Sequence, residues 1–333
     1  MDIRKVQISG GSSYIVSLPK EWVITSKIKK NDPVGVFTQA DGTLLITPNI
    51  SSEPVSRMKD FEISSSTDET FLLRNLISAY IAGYTTIRIR ARARLPPFAV
   101  LLVRDFTNMA IGQEVVEETE TAIVIKDLLN PAEMPFESTI RRMSVIVRGM
   151  QEDAAGALET HDTGLADSVI SRDTEVDRLH WLIARQNNLL VTDPNLARRM
   201  GITIRQAQHY FMVSRIIERI GDHATRIARN TELLTGNSID PSFVREISTT
   251  NSASLDLFRR SMNVFFEGDI PAANDTITLL GAFESVCNAI STSALSCEPE
   301  VAIPIVHIAD SIRRVGEYSA DICENVMNFV IGE

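Results

Sequence analysis

The sequence predicts a multidomain, mainly α-helical protein. It comprises a small β domain at residues 1–50, a small α/β domain at 51–135 and two three-helix bundles at 136–236 and 237–333. Three observations predict this division. Short strands and turn residues dominate the first part, strands and helices alternate in the second, and apolar residues at helical spacing dominate the rest. A chain of 333 residues is also long for a single core.

The β domain is predicted from short apolar runs and the turn residues between them. The predicted strands are 3–8, 13–17, 34–38 and 43–47. Gly10-Gly11-Ser12 forms a turn between the first two strands, and Asp41-Gly42 is a hairpin signal between the last two. Pro19 begins a short helix between the hairpins. Residues 48–56 (PNISSEPVS) predict a linker.

The α/β domain is predicted from alternating strand and helix patterns. The predicted elements are a strand near 57–63, a helix at about 68–83, a strand at 85–92, a helix from Pro96-Pro97 to about 110, and strands at 113–119 and 121–128. Arg88, Arg90, Arg92 and Arg94 alternate, so in a strand they share one face. That face could bind an anion or an acidic partner, or simply be an exposed strand end.

The bundles are predicted from apolar stripes with steps of three and four. The first stripe is Phe136, Ile140, Met143, Val147, Met150, Ala154 and Ala157, and the last is Val301, Ile305, Ile308, Ile312, Val315, Ser319, Ile322, Val326 and Phe329. Turn residues between the stripes predict six helices. The segment from Asp162 resembles the one from Asp269, 107 residues later, and ERIGDHATRIA resembles RRVGEYSADIC, 95 residues later. This internal repeat predicts two bundles of one type.

Composition narrows the class of protein. The net charge is +2 over residues 1–50 but −9 over 136–333, a segment without lysine. A basic head on an acidic body favours an anionic partner, such as nucleic acid, for the head alone. No signal-peptide pattern, membrane-spanning run or CxxC pair occurs, so we expect a cytoplasmic protein with no membrane insertion and with reduced cysteines.

The strongest candidate site consists of two carboxylate pairs, Asp173-x-x-x-Asp177 and Glu218-x-x-x-Asp222. Residues four apart share a helix face, where like charges repel. If the two helices lie side by side, four carboxylates converge and suit a divalent or ferric ion, or a small cluster. The alternative is a solvated acidic face neutralised by nearby arginines, which are Arg172, Arg178, Arg215 and Arg219.

The segment 136–333 resembles the PhoU family, through ERIGDHATRIA and the earlier DTEVDRL. The resemblance implies two three-helix bundles that regulate phosphate uptake together with a transporter or signalling partner. It also implies that Asp173, Asp177, Glu218 and Asp222 bind a transition metal ion or cluster, such as iron or zinc. The second bundle departs from the pattern, since the repeat aligns Leu280 with Asp173 and Arg313 with Glu218. The weaker metal candidates there are Glu284, Glu317 and Asp321.

Residues 4–48 resemble a SpoVT/AbrB swapped-hairpin domain, in which two chains interleave their hairpins and basic residues grip DNA. The resemblance implies a homodimer or higher oligomer. The candidate DNA-binding residues are Arg4, Lys5, Lys20, Lys27, Lys29 and Lys30. Such residues contact phosphates and provide affinity without sequence specificity. The alternative is a domain that only dimerises the chain.

These features predict a non-enzymatic, negative regulator of phosphate uptake that binds metal and DNA. Two alternatives stay open. One is a metal-sensing transcription factor unrelated to phosphate. The other is a carboxylate-bridged metal enzyme, since Asp177-x-x-His180 is half of a di-iron motif. No second copy of that motif and no P-loop, GxGxxG or HExxH motif occurs.

Overall fold

A computed structural model of the chain describes residues 2–38, 42–48, 57–237 and 239–332. The chain divides into two compact units, residues 1–55 and 56–333. In the described residues no helix is both long and apolar enough to cross a membrane. The mainly helical, multidomain architecture predicted from the sequence is confirmed, with N-terminal hairpins, an α/β domain and two helical bundles.

The N-terminal unit consists of two separate antiparallel hairpins with a short helix between them. Its elements are β1 (Gln7–Ser9), β2 (Ser13–Ile15), α1 (Lys20–Thr25), β3 (Gly35–Thr38) and β4 (Leu44–Thr47). β1 pairs with β2 and β3 with β4, as expected, although residues 3–6 are not strand. The Asp41-Gly42 turn and the linker 48–56 lie wholly or partly outside the described residues.

The second unit begins with a four-stranded sheet covered on one face by two helices. Its elements are β5 (Met58–Ile63), α2 (Glu69–Ile81), β6 (Thr86–Ala91), α3 (Pro97–Met109), β7 (Gln113–Glu118) and β8 (Ala122–Asp127). The strand order is β5-β6-β8-β7, with only β5 and β6 parallel. Ile87 and Ile89 point into the core with α2 and α3 because side chains alternate along a strand.

The rest of the unit is helical. The helices are α4 (Phe136–Thr160), α5 (Thr163–Thr192), α6 (Pro194–Met200), α7 (Ile204–Leu233), α8 (Pro241–Glu267), α9 (Ile270–Thr278), α10 (Leu280–Ala294) and α11 (Pro299–Ile331). Bundle 1 consists of α4, α5 and α7, and bundle 2 of α8, α9–α10 and α11. α7 also packs along α11, and α4 along α8, so both bundles share one core.

The prediction of six helices is wrong, because the described residues of this region form eight. Pro194 cannot continue α5, since it lacks an N–H, and instead it starts α6 behind the Asp193 cap. α6 then ends at Gly201 in the left-handed conformation. The other break lies at Leu279, whose N–H donates to the carbonyl of Thr276 in a tightened turn. No proline marks that break.

The internal repeat is visible in matching helix ends. His161 and Gly268, 107 residues apart, both end a helix in the left-handed conformation. The next residues, Asp162 and Asp269, both cap the following helix by accepting a backbone N–H. Two equivalent corners therefore join the first two helices of each bundle, as the repeat predicts.

Candidate functional site: a carboxylate cluster in bundle 1

The predicted carboxylate pairs lie on two neighbouring helices. Asp173 and Asp177 are on α5, and Glu218 and Asp222 are on α7, along which α5 packs. The four side chains lie beside the apolar stripes, so Asp173, Asp177 and Glu218 are partly buried and Asp222 is more exposed. The structure therefore brings together the residues that the sequence analysis singled out.

The four groups influence each other's ionisation. Burial, and next the charges of Asp173 and Asp222, raise the pKa of Asp177 to about 6. Burial and the charge of Asp222 raise the pKa of Glu218 to about 7, with Asp177 contributing further. Burial also raises the pKa values of Asp173 and Asp222. Burial and mutual repulsion therefore both disfavour the charged form of these four carboxyl groups.

Arginines surround the cluster, but only Arg215 among the four predicted partners forms an ion pair with it in the described structure. Its Nη1 lies 3.1 Å from Oε1 of Glu218. Arg172 pairs instead with Asp153 on α4, at 2.5 Å. The predicted solvated face with arginine partners is thus present only in part. Arginines in ion pairs do not neutralise all four carboxylates of the cluster.

One oxygen of the cluster has no partner. Glu218 Oε2 is buried and accepts no hydrogen bond, although Oε1 is bound to Arg215. A buried carboxylate oxygen without a partner is costly, and a cation among the four carboxylates would remove that cost. The donor set is all oxygen, which suits hard and borderline divalent or ferric ions.

The metal-binding geometry is not preformed. Within the described residues, no group of three or more His, Cys, Asp or Glu side chains is arranged to hold a metal ion. His180, from the half di-iron motif, is buried and its Nδ1 lies 3.0 Å from the hydroxyl of Ser214. This imidazole is thus engaged away from the carboxylates. Metal coordination here stays a prediction.

Comparison with known proteins places this site within a known domain. The family model described as "PhoU domain" matches residues 140–231, which include all four carboxylates. The chain contains a PhoU domain. Residues 7–54 match the family "Antidote-toxin recognition MazE, bacterial antitoxin". The two matches cover separate parts of the chain, one in the N-terminal unit and one in bundle 1.

Relatives and solved structures agree with the PhoU domain. A "Phosphate-specific transport system accessory protein PhoU homolog 1" of Thermotoga maritima is 22% identical over 60% of this chain and 87% of its own length. A PhoU homolog of Caulobacter vibrioides is 38% identical, but over only 27% of this chain and 36% of its own length. Crystal structures of PhoU from Pseudomonas aeruginosa and Streptococcus pneumoniae share the fold, with TM-scores of 0.53 and 0.51 at 20% and 18% identity. They cover 60% of this chain and 96% and 94% of their own.

Bundle 2 repeats the PhoU-type helix pair with different charges. Leu280 and Arg313 stand where the repeat aligns them with Asp173 and Glu218. Arg313 Nη2 lies 2.6 Å from Asp310, and Arg313 also pairs with Glu317. Of the weaker metal candidates, Glu317 is thus already bound to arginines, and Glu284 and Asp321 lie on α10 and α11.

The candidate DNA-binding residues all lie on the surface of the MazE-type unit. Arg4 pairs with Asp2 at 2.6 Å, and the backbone N–H of Lys29 donates to Asp32. Arg4, Lys5, Lys20, Lys27, Lys29 and Lys30 are all exposed. None of the described side chains of residues 2–48 is buried, so apolar residues such as Ile8 and Tyr14 stay 67% and 75% exposed.

Sequence analysis missed three features. Arg229 lies seven residues beyond Asp222, and its charge opposes the rise that burial causes in the pKa values of Asp173 and Asp222. The seven-residue spacing, which places both residues on one helix face, could have indicated this. Arg185 joins α5 to the α/β domain, which no local pattern indicates.

In the α/β domain Arg88 pairs with Asp60, and Arg92 pairs with Glu62. These ion pairs reduce the net positive charge of the alternating arginines.

Proposed function

We propose that this protein regulates phosphate uptake, in the repressive direction, without catalysing a reaction. The PhoU domain at 140–231 carries the proposal, and the named relatives are accessory proteins of phosphate-specific transport systems. A transporter component or signalling protein would be the partner of the helical body. No step of such a role requires bond breaking.

The carboxylate cluster of bundle 1 binds a transition metal ion or small cluster in this proposal. The unpartnered Glu218 Oε2 and the raised pKa values of the four carboxyls support it, because burial and mutual repulsion disfavour the charged carboxylates and a bound cation would stabilise them. Coordination requires side-chain rotation from the described arrangement. A bound ion would fix the spacing of α5 and α7 and thereby alter the surface offered to a partner.

The N-terminal unit binds DNA as a dimer in this proposal. Six exposed basic side chains and a MazE-type match support it. A second copy of the two hairpins would cover apolar side chains that are exposed in one chain. Because the body carries a net charge of −9, contact with DNA would be confined to the head and weakened by salt.

Two measurements test the proposal. Deletion of the gene is expected to raise phosphate-transporter transcript or cellular phosphate when phosphate is plentiful. Promoter DNA of that transporter is expected to be retarded at low salt by the wild type more than by a Lys27, Lys29, Lys30→Ala variant. A Lys59, Lys126→Ala variant is the control, since it removes lysines of the α/β domain instead.

The outcomes separate the alternatives. Unchanged transcript and phosphate would remove support for a phosphate role. If DNA retardation then still depends on Lys27, Lys29 and Lys30, and responds to metal, a metal-sensing transcription factor becomes the better description. Retardation that is equal in both variants would place any DNA contact outside Lys27, Lys29 and Lys30.

A further inference from the structure

Two helix faces that the repeat aligns differ in the sign of their charge at several positions. A shift of 95 residues aligns α7 of bundle 1 with α11 of bundle 2. The aligned pairs with reversed charge are Arg215 and Asp310, Glu218 and Arg313, Arg226 and Asp321, and Arg229 and Glu324. Bundle 1 thus has acidic residues at the centre of this face and arginines around them. In bundle 2 an arginine stands at the centre with acidic residues around it, while Asp222 and Arg219 keep their sign as Glu317 and Arg314.

Arg313 is held by carboxylates on both sides along its own helix. Its guanidinium donates to Asp310, at 2.6 Å one turn earlier, and to Glu317 one turn later. The second oxygen of Glu317 accepts from Arg314 at 2.8 Å. The side chains of Arg313 and Glu317 are only 23% and 20% exposed, so these pairs are less screened than surface ion pairs.

The ionisation of this face also differs from that of bundle 1. The Asp310 hydrogen bond is the largest influence on Arg313 and raises its pKa, and the charges of Glu317 and Glu284 act in the same direction. Although burial alone would raise the pKa of Asp310, Arg313 lowers it overall. In bundle 1, in contrast, the pKa values of the four central carboxyl groups are all raised.

The helix α10, which packs beside α11 in bundle 2, also has fewer acidic residues than its counterpart α5 in bundle 1. Leu280 stands where the repeat aligns it with Asp173, so α10 contributes one carboxylate, Glu284, instead of two. Phe283 packs directly against Gly316 of α11, where a Cβ atom would lie only 2.4 Å from its ring. An aromatic ring and a guanidinium therefore occupy this helix pair, where bundle 1 has Val176 and a fourth carboxylate.

We propose that the Arg313 guanidinium is the built-in cation of bundle 2 and takes the place that a metal ion would take among Asp310, Glu284 and Glu317. Bundle 2 is then independent of metal, and any response of the protein to metal is confined to bundle 1. The comparison with bundle 1 rests on the proposed function, whereas the role of Arg313 can be tested without it.

The test uses the full chain with Asp177→Asn and Asp222→Asn, so that bundle 1 contributes no metal binding. Into this parent we introduce Arg313→Gln, which removes the cation but keeps a polar side chain, or Arg313→Lys, which keeps the charge. Melting temperature is measured with and without Mn²⁺ or Zn²⁺, and bound metal is measured by equilibrium dialysis. The parent and Arg313→Lys are expected to bind no metal and to melt at the same temperature with or without it.

Arg313→Gln is expected to melt several degrees lower than the parent, to bind metal, and to recover stability when Mn²⁺ or Zn²⁺ is added. If this variant does not fold, refolding in the presence of the ion is expected to rescue it. Two results would overturn the proposal. One is an Arg313→Gln variant that neither binds nor is stabilised or rescued by metal. The other is metal binding by the parent that is lost on Glu284→Gln and Glu317→Gln.

A failure of the proposed function would give a different experimental result. Wild-type protein that binds no metal would contradict metal binding in bundle 1. It would leave the Arg313 result unaffected, because the parent already lacks Asp177 and Asp222, one carboxylate from each helix of the bundle 1 cluster.

Discussion

The guanidinium of Arg185 on α5 donates to the carboxylate of Asp127 at the end of β8, and both side chains are almost completely buried, at 2% and 7% exposure. Arg185 also donates to the backbone carbonyl groups of Tyr80 and Tyr84. The next residue, Gln186, donates to the carbonyls of Pro131 and Met134. This stretch of α5 thus fastens the α/β domain to bundle 1. The same helix also carries Asp173 and Asp177.

We expect Arg185→Ala to lower the free energy of unfolding by about 3–5 kcal/mol, because it leaves the Asp127 carboxylate buried without its partner. Urea unfolding followed by circular dichroism measures the loss. Arg148→Ala is the matched control, since its pair with Glu152 is exposed and 3.7 Å long, and exposed pairs contribute about 0–1 kcal/mol. Equal losses in the two variants would contradict a dominant role for the buried pair.

The carboxylate cluster predicts how stability depends on pH in the metal-free protein. A carboxyl whose pKa is raised by folding binds protons more tightly in the folded state, so its stabilising contribution is lost as pH rises. With pKa values of about 6 for Asp177 and about 7 for Glu218, we expect stability to fall between about pH 4 and pH 7. An Asp177→Asn, Glu218→Gln variant is expected to show a flatter profile and higher stability at pH 8. An unchanged profile in this variant would disprove the assignment.

Metal content is expected to depend on the same cluster. Protein purified without chelator is expected to contain a transition metal, and Asp177→Ala with Asp222→Ala is expected to lose it. Elemental analysis measures the content, with Glu137→Ala and Glu152→Ala on α4 as a control of equal charge change. Affinity should decrease below about pH 7, because Glu218 must release its proton to bind an ion. Equal metal content in both double variants would rule out the site.

Self-association is expected to depend on the apolar side chains of the N-terminal hairpins. We expect the full chain to be at least dimeric, and Ile8→Asp with Tyr14→Asp to reduce its mass toward that of the monomer, because burial of charge in an interleaved core is costly. Light scattering measures the mass. Val191→Asp with Leu233→Asp, at exposed apolar positions on α5 and α7, is the control. A dimer that survives the hairpin changes would place the interface elsewhere.

The two glycines aligned by the repeat are expected to respond oppositely to a methyl group. A Cβ at Gly316 would lie 2.4 Å from the Phe283 ring, whereas at Gly221 the nearest atom is 3.5 Å away, an ordinary contact. Gly316→Ala should therefore destabilise the protein. Gly221→Ala should be neutral or stabilising by up to about 1 kcal/mol, from helix propensity. Thermal melting of both variants measures this, and a loss of stability only at Gly221 would contradict the packing described.

Local patterns in the sequence predicted much of the architecture and the candidate site. The stripe from Phe136 to Ala157 is buried as expected, because apolar residues at helical spacing must face one side. The four carboxylates meet because fixed spacing puts each pair on one face and short connections put their helices side by side. The helix break at Leu279 was not predicted, since no proline or helix cap marks it.

The sequence by itself determined the order of the elements, the internal repeat and the positions of Asp173, Asp177, Glu218 and Asp222, because these depend on spacing within single helices. Only the tertiary structure decided which charges are compensated. Arg185 finds Asp127 across 58 positions of sequence, whereas Glu218 Oε2 is buried without a partner. The physical reason is that burial and long-range pairing depend on how separate elements pack, and no local pattern encodes that distance.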